Sequence, residues 1–206
     1  MKDFKEINKE IYYRLVNYEA NREMLARYPH IKVLDLAALF YYRQKKGFKE
    51  EAPVFIGIKQ LREWRLSAEE LYELAKENTV KSLPPIFRTI EQIISDIAYE
   101  EDLAIACEEE PCDQMYVLTN KEKYFGAGCV LYPGVLRSIF EKLRSGFFVL
   151  PSSIHECIVM PDLGGVNAIN LRSLVAEMNQ QFLETEEVLS NQVYRYDYEK
   201  DELILA

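Results

Sequence analysis

The sequence predicts an α+β fold in which antiparallel or mixed sheet hairpins pack against several amphipathic helices. Apolar residues recur at helical spacing in some segments and form short β-rich runs in others. The predicted strands follow one another through tight links, which suits antiparallel pairing better than helical crossovers. With 206 residues, 49% of them hydrophobic, the chain can also bury a sizeable core.

The first part of the chain is predicted to hold one helix and one hairpin. A helix is predicted over residues 4–27 because apolar residues recur there at helical spacing: Phe4, Ile7, Ile11, Leu15 and Tyr18. The apolar runs 31–42 and 54–58 flank a polar loop. Two such runs around a polar loop predict a β-hairpin.

The clearest local helix signal begins at Ser67. This serine is a candidate N-cap, and Glu70 at the third helical position completes a capping box, so a helix is predicted to about Glu77. A further helix is predicted to open at Pro84-Pro85. Its apolar stripe comprises Ile86, Ile90, Ile93, Ile94 and Ile97.

An acidic stretch over residues 99–113 is predicted to be a solvated connector. The chain is therefore expected to be a single α+β unit, 1–206, with a candidate N-terminal lobe, 1–98, and a candidate C-terminal lobe, 114–206. The C-terminal part is predicted to contain the following elements in order: a strand at 115–118, a helix from Pro133, strands at 147–150 and 154–160, a helix around 171–182, and a terminal hairpin of 192–198 with 202–205.

Charge and composition exclude several classes of partner. The net charge is −9 and the basic residues are scattered, which disfavours nucleic-acid binding. No run approaches eighteen apolar residues, so no membrane span is expected, and the acidic surface argues against docking on an anionic membrane. The four cysteines and the lack of a signal peptide predict a cytoplasmic location with reduced thiols. The fourteen tyrosines suit a contact surface, so a protein partner or self-association stays open.

The segment from Pro151 to Cys157 contains hydroxyl, imidazole, carboxylate and thiol side chains within seven residues. Ser153, His155 and Glu156 are its candidate catalytic side chains, because hydroxyl, imidazole and carboxylate groups support nucleophilic or acid–base steps. On a strand, His155 and Cys157 would face the same side, but the remaining ligands of a zinc site are missing, so no metal is expected. The glycine pairs lack the motifs of phosphate loops, so no cofactor is expected.

Asp35 is a further candidate because it lies inside an apolar run. A buried carboxylate must be paired or hydrogen-bonded. It is expected either to hold an arginine structurally or to act as a functional carboxylate, and the first role is favoured.

Several blocks of the chain resemble one known family in the same order along the sequence. These blocks are Asn17-Tyr18-Glu19-Ala20-Asn21, Tyr28-Pro29-His30, Leu131-Tyr132-Pro133-Gly134-Val135-Leu136, Pro151-Ser152-Ser153-Ile154-His155-Glu156 and Val193-Tyr194-Arg195-Tyr196-Asp197. Together they are similar to the domain-of-unknown-function 5688 family, and the resemblance runs over nearly the whole chain. It implies an uncharacterised bacterial protein, found mainly in anaerobic gut bacteria. Members usually carry a further N-terminal segment, which this chain is expected to lack.

That family has no established activity, so the resemblance assigns no catalytic residues. The residues support two hypotheses. The leading one is a non-enzymatic binding or protein-interaction module, because no complete catalytic set is found. The alternative is a hydrolase-like or metal-assisted enzyme centred on Pro151–Glu156, with Asp35 or Asn120 as an added group. A concave pocket that gathers these side chains would favour the enzyme.

Overall fold

The computed structural model describes the backbone of residues 3–46, 50–100 and 115–206, and their side chains except those of 45–46, 50–51 and 96–100. Two antiparallel sheets carry this part of the chain, with helices packed between and beside their strands. The α+β prediction is therefore confirmed.

The first sheet is built around one long strand. Strand β3 (Leu36–Lys46) pairs along one edge with β1 (Ile11–Asn17), and its other edge is shared by β2 (His30–Val33) and β4 (Glu50–Phe55). The predicted hairpin of two apolar runs corresponds to β3 and β4. The polar loop between them, 47–49, lies outside the described residues.

The second sheet has the strand order β10-β9-β7-β8-β6-β5 and is antiparallel throughout. Its strands are β5 (Pro85–Thr89), β6 (Tyr116–Asn120), β7 (Phe147–Leu150), β8 (Cys157–Pro161), β9 (Tyr194–Asp197) and β10 (Glu202–Leu205). The predicted terminal hairpin is confirmed as β9 and β10. Strand β5 pairs with β6 across the acidic stretch, of which 101–113 lie outside the described residues. The division into lobes stays a prediction.

The helices are short at the start of the chain and longer later. They are α1 (Phe4–Ile7), α2 (Arg22–Leu25), α3 (Ile58–Trp64), α4 (Ala68–Ser82), α5 (Ile90–Glu100), α6 (Val135–Leu143) and α7 (Ala168–Phe182), and 3₁₀ turns occupy Asn8–Glu10 and Gly126–Leu131. Among the described residues, no helix combines the length and apolar character that crossing a bilayer would require.

Two predicted helices are wrong in part. The range 4–27 contains only the short helices α1 and α2, and its centre is strand β1, in which Tyr13 and Leu15 point to one side and Arg14 to the other. Pro85 begins strand β5 rather than a helix, and helix α5 starts five residues later at Ile90. In both places the pairing of strands overrides the helical spacing of isoleucines and leucines.

Strand β1 separates the two faces of the first sheet. Tyr13 faces α4: its ring meets Tyr72 at 5.6 Å, and its backbone N–H donates to the Thr79 hydroxyl at 3.3 Å. The Tyr13 hydroxyl donates to the carbonyl of Gly128 at 2.9 Å, which ties this strand to the 3₁₀ turn after β6. Because side chains alternate along a strand, Arg14 lies on the face opposite to α4.

Helix α7 packs on the second sheet through Leu171 and Val175, which are buried. The neighbouring row is left at the surface: the exposed fractions are 50% for Leu174, 48% for Met178 and 69% for Phe182. The sequence places all five on one apolar face, and the structure buries only part of that face. A protein partner or self-association stays a prediction.

The capping box of α4 forms as predicted, and it supplies a first test. The Ser67 hydroxyl accepts from the Glu70 N–H at 3.1 Å, and the Glu70 carboxylate accepts from the Ser67 N–H at 2.8 Å. Ser67→Ala should lower the free energy of unfolding by about 1 kcal/mol, because a helix N–H loses its acceptor. Urea denaturation measures this. Ser67→Asp keeps an acceptor oxygen and should stay close to the wild type; equal stability of the alanine variant would contradict the role of the cap.

Candidate functional site

The candidate residues of the 151–157 segment lie in a turn between β7 and β8. Strand β8 starts only at Cys157, so the expectation that His155 is a strand residue is wrong. Ser153 shapes this turn: its hydroxyl accepts from the His155 N–H at 3.0 Å, and its own N–H donates to the Glu156 carbonyl at 3.1 Å. The hydroxyl is thus engaged with the backbone and does not contact the imidazole as a nucleophile would contact its base.

Glu156 and Cys157 are also poorly suited to nucleophilic chemistry. Burial raises the pKa of the Glu156 carboxyl, and the charge of Lys123 only partly offsets this. Cys157 is buried, and burial raises the pKa of its thiol well above the usual range. The other described cysteine, Cys129, is buried as well, with its pKa raised to about 12. Thiols of this kind are structural and inert, because the thiolate is the reactive form.

Asp35 contacts a different part of the chain. Its carboxylate accepts hydrogen bonds from the hydroxyls of Ser190, at 2.6 Å, and Tyr194, at 2.7 Å. Both hydroxyl residues are almost completely buried. Asp35 therefore fastens the segment before β9 to the first sheet. The expected arginine partner is replaced by two hydroxyls, which the sequence spacing gives no means to foresee.

The His155 ring is held in one orientation. Its Nδ1 accepts from the backbone N–H of Phe125 at 3.2 Å, so in the neutral ring the proton lies on Nε2. That Nε2 faces the Glu187 carboxylate at 3.9 Å. The pKa of His155 is lowered chiefly by burial; the carboxylate of Glu187 raises it and the positive charge of Arg14 lowers it. The N–H donor of the neutral imidazole is therefore on the side of Glu187.

The side chain that the sequence reasoning missed is Arg14. Its guanidinium carbon lies 4.5 Å from the centre of the Phe125 ring and 4.8 Å from that of Phe55. Its Nε is buried and has no hydrogen-bond partner among the described residues. Burial lowers the pKa of Arg14, and the through-space effects of Tyr124, Tyr41 and Glu186 oppose this. Arginine stays charged in proteins, so a cation is held here at a cost in desolvation.

Arg14 could have been noticed from one signal. It is the single charge in the otherwise uncharged run Ile11–Val16, which alternates as a strand would. The prediction of a helix over residues 4–27 did not take this alternation into account.

Phe125 reaches Arg14 through a strained loop. Its backbone adopts φ 55° and ψ 27°, the left-handed region that bulky residues avoid. The loop that presents it is organised by Asn120, which is 1% exposed and whose amide group donates to the Tyr124 carbonyl at 2.8 Å and accepts from the Glu122 N–H at 3.0 Å. Strain of this kind persists only where the surroundings enforce it, and it often marks a functional site.

Gly126, the next residue, explains how the loop can lie so close to its neighbours. A Cβ at this position would come within 2.1 Å of the Thr119 hydroxyl and 2.6 Å of both the Asn120 nitrogen and the His155 carbonyl oxygen. The Thr119 hydroxyl also donates to that carbonyl at 2.8 Å. Only glycine fits where β6, the loop and the 151–156 turn converge.

The rings around Arg14 form a continuous set of contacts. The Phe125 and His155 rings are nearly parallel, with centres 5.8 Å apart and an interplanar angle of 8°. Tyr124 touches both, at 4.0 Å from Phe125 and 5.2 Å from His155. We call this group the arginine cleft and define it by six residues: Arg14, Phe55, Tyr124, Phe125, His155 and Glu187.

A pocket of about 160 Å³ adjoins the arginine cleft and shares the Tyr124 wall. Its other lining residues are Tyr41, Arg43, Pro53 and Glu122. Arg43 and Glu122 form a two-pronged ion pair at the rim. A larger cavity, about 350 Å³, lies between β5 and α6, but it is lined mainly by apolar groups and holds one charged side chain, Lys142, over the Phe87 ring.

The arginine cleft combines charged, polar and aromatic groups. Its groups are a guanidinium whose buried Nε has no partner among the described residues, an imidazole whose Nε2 faces Glu187, aromatic rings and one carboxylate. Within residues 3–46, 50–100 and 115–206, no three His, Cys, Asp or Glu side chains are grouped so that they could hold a metal ion.

Comparison with known proteins identifies a family. Residues 1–198 match the family described as a family of unknown function (DUF5688). No curated protein and no solved structure matches the chain.

The close approach at Gly126 provides the second test. Gly126→Ala should lower the free energy of unfolding by about 1–3 kcal/mol, since the methyl group has to push apart backbone atoms of two segments. Gly146→Ala is the matched control, because there a Cβ would meet only the Asp162 Cβ at an ordinary 3.8 Å. Chemical denaturation measures the free energy of unfolding of both variants. An equal decrease in the two variants would show that the close packing at Gly126 is unimportant for stability.

The charges around His155 provide the third test, an NMR titration of its ring. The pKa of His155 should lie below 6.5, rise in Arg14→Met, which removes a positive neighbour, and fall in Glu187→Gln, which removes a negative one. Because the folded pKa is lowered, the unfolded chain binds this proton more readily, so this contribution to stability falls as the pH drops below about 6.5. Arg137→Met serves as control. If the pKa of His155 were the same in Arg14→Met and the wild type, the Arg14 guanidinium would be too far from the imidazole to affect its protonation.

Proposed function

The chain belongs to the DUF5688 family, a family of unknown function, and we propose that it is a non-enzymatic binding module that holds an anionic group in the arginine cleft. One observation carries the proposal. The Arg14 guanidinium lies between two aromatic rings with a buried Nε that no described residue satisfies. A buried donor without a partner costs about 1–3 kcal/mol, more when it is charged, and the negative charge of a bound oxyanion would offset part of this cost.

The aromatic walls support binding in a second way. Contact with the faces of Phe55 and Phe125 stabilises the cation by roughly 0.5–2 kcal/mol per ring and holds the guanidinium plane in place. A planar guanidinium fixed in this way matches the two oxygens of a carboxylate. The rings therefore prepare Arg14 to bind without a large loss of side-chain entropy on ligand arrival.

A hydrolase centred on the 151–156 turn is less well supported. The Ser153 hydroxyl is committed to the turn, the Nδ1 of His155 is committed to Phe125, and Cys157 is buried. A nucleophile and a base that act together need a hydrogen bond or one water between them. For these reasons we favour binding over catalysis. The buried free thiols of Cys129 and Cys157 are compatible with the cytoplasmic location that we propose for the module.

The fourth test measures anion binding directly. Sodium acetate is titrated into the labelled protein at pH 7.5 while the amide signals of Phe125 and His155 are followed by NMR. We expect saturable shifts in the wild type and a loss of affinity of about tenfold or more in Arg14→Met, because the charged pair cannot form. Arg137→Met is the matched control: Arg137 also lies over an aromatic ring, that of Tyr198, but is paired with Asp201.

Stability separates a binding arginine from a structural one. Replacing an unpaired buried cation with the apolar Met should leave the free energy of unfolding unchanged or raise it by up to about 2 kcal/mol. An arginine that holds the fold together would instead destabilise the protein when removed. Acetate shifts that are the same in Arg14→Met and wild type, or a strong destabilisation with no change in binding, would overturn the proposed function.

A further inference from the structure

We infer that the cavity between β5 and α6 binds a small amphipathic anion, a molecule with an apolar body and one negatively charged end group, such as an aryl- or alkylcarboxylate. We call this cavity the α6 pocket; its lining residues include Pro85, Phe87, Val135, Ser138, Ile139 and Lys142. None of its lining residues belongs to the arginine cleft, so this site goes beyond the proposed function.

The size and the walls of the α6 pocket suit a small apolar molecule. Its volume of about 350 Å³ lies within the roughly 300–1,000 Å³ that is usual for small-molecule sites. Leu118 and Ile139 are otherwise buried and form its inner surface. The Phe87 wall is held in place because its ring stacks on that of Tyr116, with centres 4.7 Å apart and an interplanar angle of 13°. An apolar body would therefore lose its contact with water against a surface that is already formed.

The two walls of the α6 pocket are fastened together at one end. Tyr132 precedes the Pro133-Gly134 turn that leads into α6, and its hydroxyl donates to the carbonyl of Leu83, two residues before β5, at 3.1 Å. Tyr132 and Leu83 are both almost completely buried. This hydrogen bond holds the beginning of β5 beside the beginning of α6. A ligand then has little structure to organise when it binds, which favours affinity.

One face of α6 lines the pocket over two helical turns. Val135, Ser138, Ile139 and Lys142 are spaced as i, i+3, i+4 and i+7, so they lie on the same side of the helix. With a rise of about 1.5 Å per residue, Lys142 lies roughly 10 Å from Val135 along the helix axis. Lys142 is therefore at the end of the pocket farther from the Tyr132 hydrogen bond. This arrangement orients the ligand with its apolar body towards Val135 and its end group at Lys142.

Lys142 selects the charge of the end group. Among the described lining residues it carries the only charge, and its ammonium nitrogen lies 5.2 Å from the centre of the Phe87 ring. Its side chain is exposed, and no carboxylate of the described residues forms an ion pair with it. One cation beside an apolar surface matches one anionic group. A cationic ligand would be repelled, and a polyanion would leave most of its charges without a partner.

The fifth test compares four probes by NMR titration of the labelled protein at pH 7.5, with the amide signals of Ser138 and Ile139 as reporters. Three probes share one apolar body: 3-phenylpropionate is an anion, 3-phenylpropionamide is neutral and 3-phenylpropylamine is a cation. Acetate has the charge without the body.

We expect 3-phenylpropionate to bind with a dissociation constant of about 5 mM or lower, from the usual ligand efficiency of small molecules. It should bind roughly three- to fivefold more tightly than the amide, which is the contribution of an exposed ion pair, and more tightly still than the amine. Acetate should affect these two signals at least about tenfold more weakly, because it has almost no apolar surface to bury.

Two variants separate the contribution of the charge from that of the apolar body. Lys142→Gln should lower the affinity for 3-phenylpropionate to that for the amide, and the affinity for the amide should not change. Ser138→Leu fills the pocket from an exposed helical position and should weaken binding of all three phenyl probes by about tenfold or more. Lys76→Gln is the matched control and should change nothing, since Lys76 also lies over an aromatic ring, that of Tyr72, but is paired with Glu73.

Three outcomes would overturn the inference. Equal affinities of the wild type for the acid, the amide and the amine would show that Lys142 does not select the charge. Shifts that are the same in Ser138→Leu and the wild type would place the probe outside the α6 pocket. A lack of saturable shifts at Ser138 and Ile139 with every probe would show that the pocket does not bind such molecules.

Arg14→Met distinguishes this site from the arginine cleft. The substitution should weaken acetate binding at Phe125 and His155 but leave the effect of 3-phenylpropionate on Ser138 and Ile139 unchanged. If 3-phenylpropionate instead shifts Phe125 and His155, and loses affinity in Arg14→Met but not in Lys142→Gln, then the arginine cleft is its site. That result would overturn the inference and support the proposed function. Failure of acetate to bind at the arginine cleft would contradict the proposed function alone.

Discussion

The site depends on one close approach, that of Gly126 to the backbone around Thr119 and His155. With atoms 2.1–2.6 Å from where a Cβ would lie, the loop after β6 is pressed against the turn before β8. Phe125, the residue before Gly126, has a left-handed backbone conformation, and its N–H donates to His155. The same loop carries the Phe125 ring onto Arg14 from another sheet. The absence of a side chain at Gly126 therefore allows the segments that carry His155 and Phe125 to lie in direct contact.

At Arg14, the residue type that would best stabilise the fold differs from the one that the proposed binding role requires. We expect strand β1 to be more stable with an apolar residue at position 14. Burial of the Arg14 guanidinium costs desolvation free energy, and only contacts with two rings and the weak attraction of distant carboxylates offset this cost. The partly buried carboxylate of Asp35, by contrast, is satisfied by the hydroxyls of Ser190 and Tyr194. Sites that break the rules of packing are the places where binding is expected.

Local signals in the sequence predicted the elements that local interactions determine. The capping box at Ser67 and Glu70 depends on residues three apart and appears as expected in α4. The prediction of one helix over residues 4–27 was wrong because the apolar residues there fit two patterns. Ile7, Ile11 and Leu15 have helical spacing, while Ile11, Tyr13 and Leu15 alternate as in a strand. Only pairing with β3, a strand distant in the sequence, decides between the two. For the same reason α5 starts at Ile90 and not at Pro85, as predicted, because residues 85–89 pair as strand β5.

The candidate site was harder to predict because no single segment contains it. His155 was singled out correctly as a member of an unusual cluster, yet its ring contacts Phe125, Tyr124 and Glu187 rather than Ser153 or Cys157. Arg14 comes from the first sheet, Phe55 from another strand of that sheet, and the remaining groups from three separate loops. A site assembled in this way has no spacing motif, so residue types within a seven-residue window point to the wrong chemistry. Its signature is energetic instead: a cation held between rings with a donor that has no acceptor, which is a property of the folded chain and of no short stretch of its sequence.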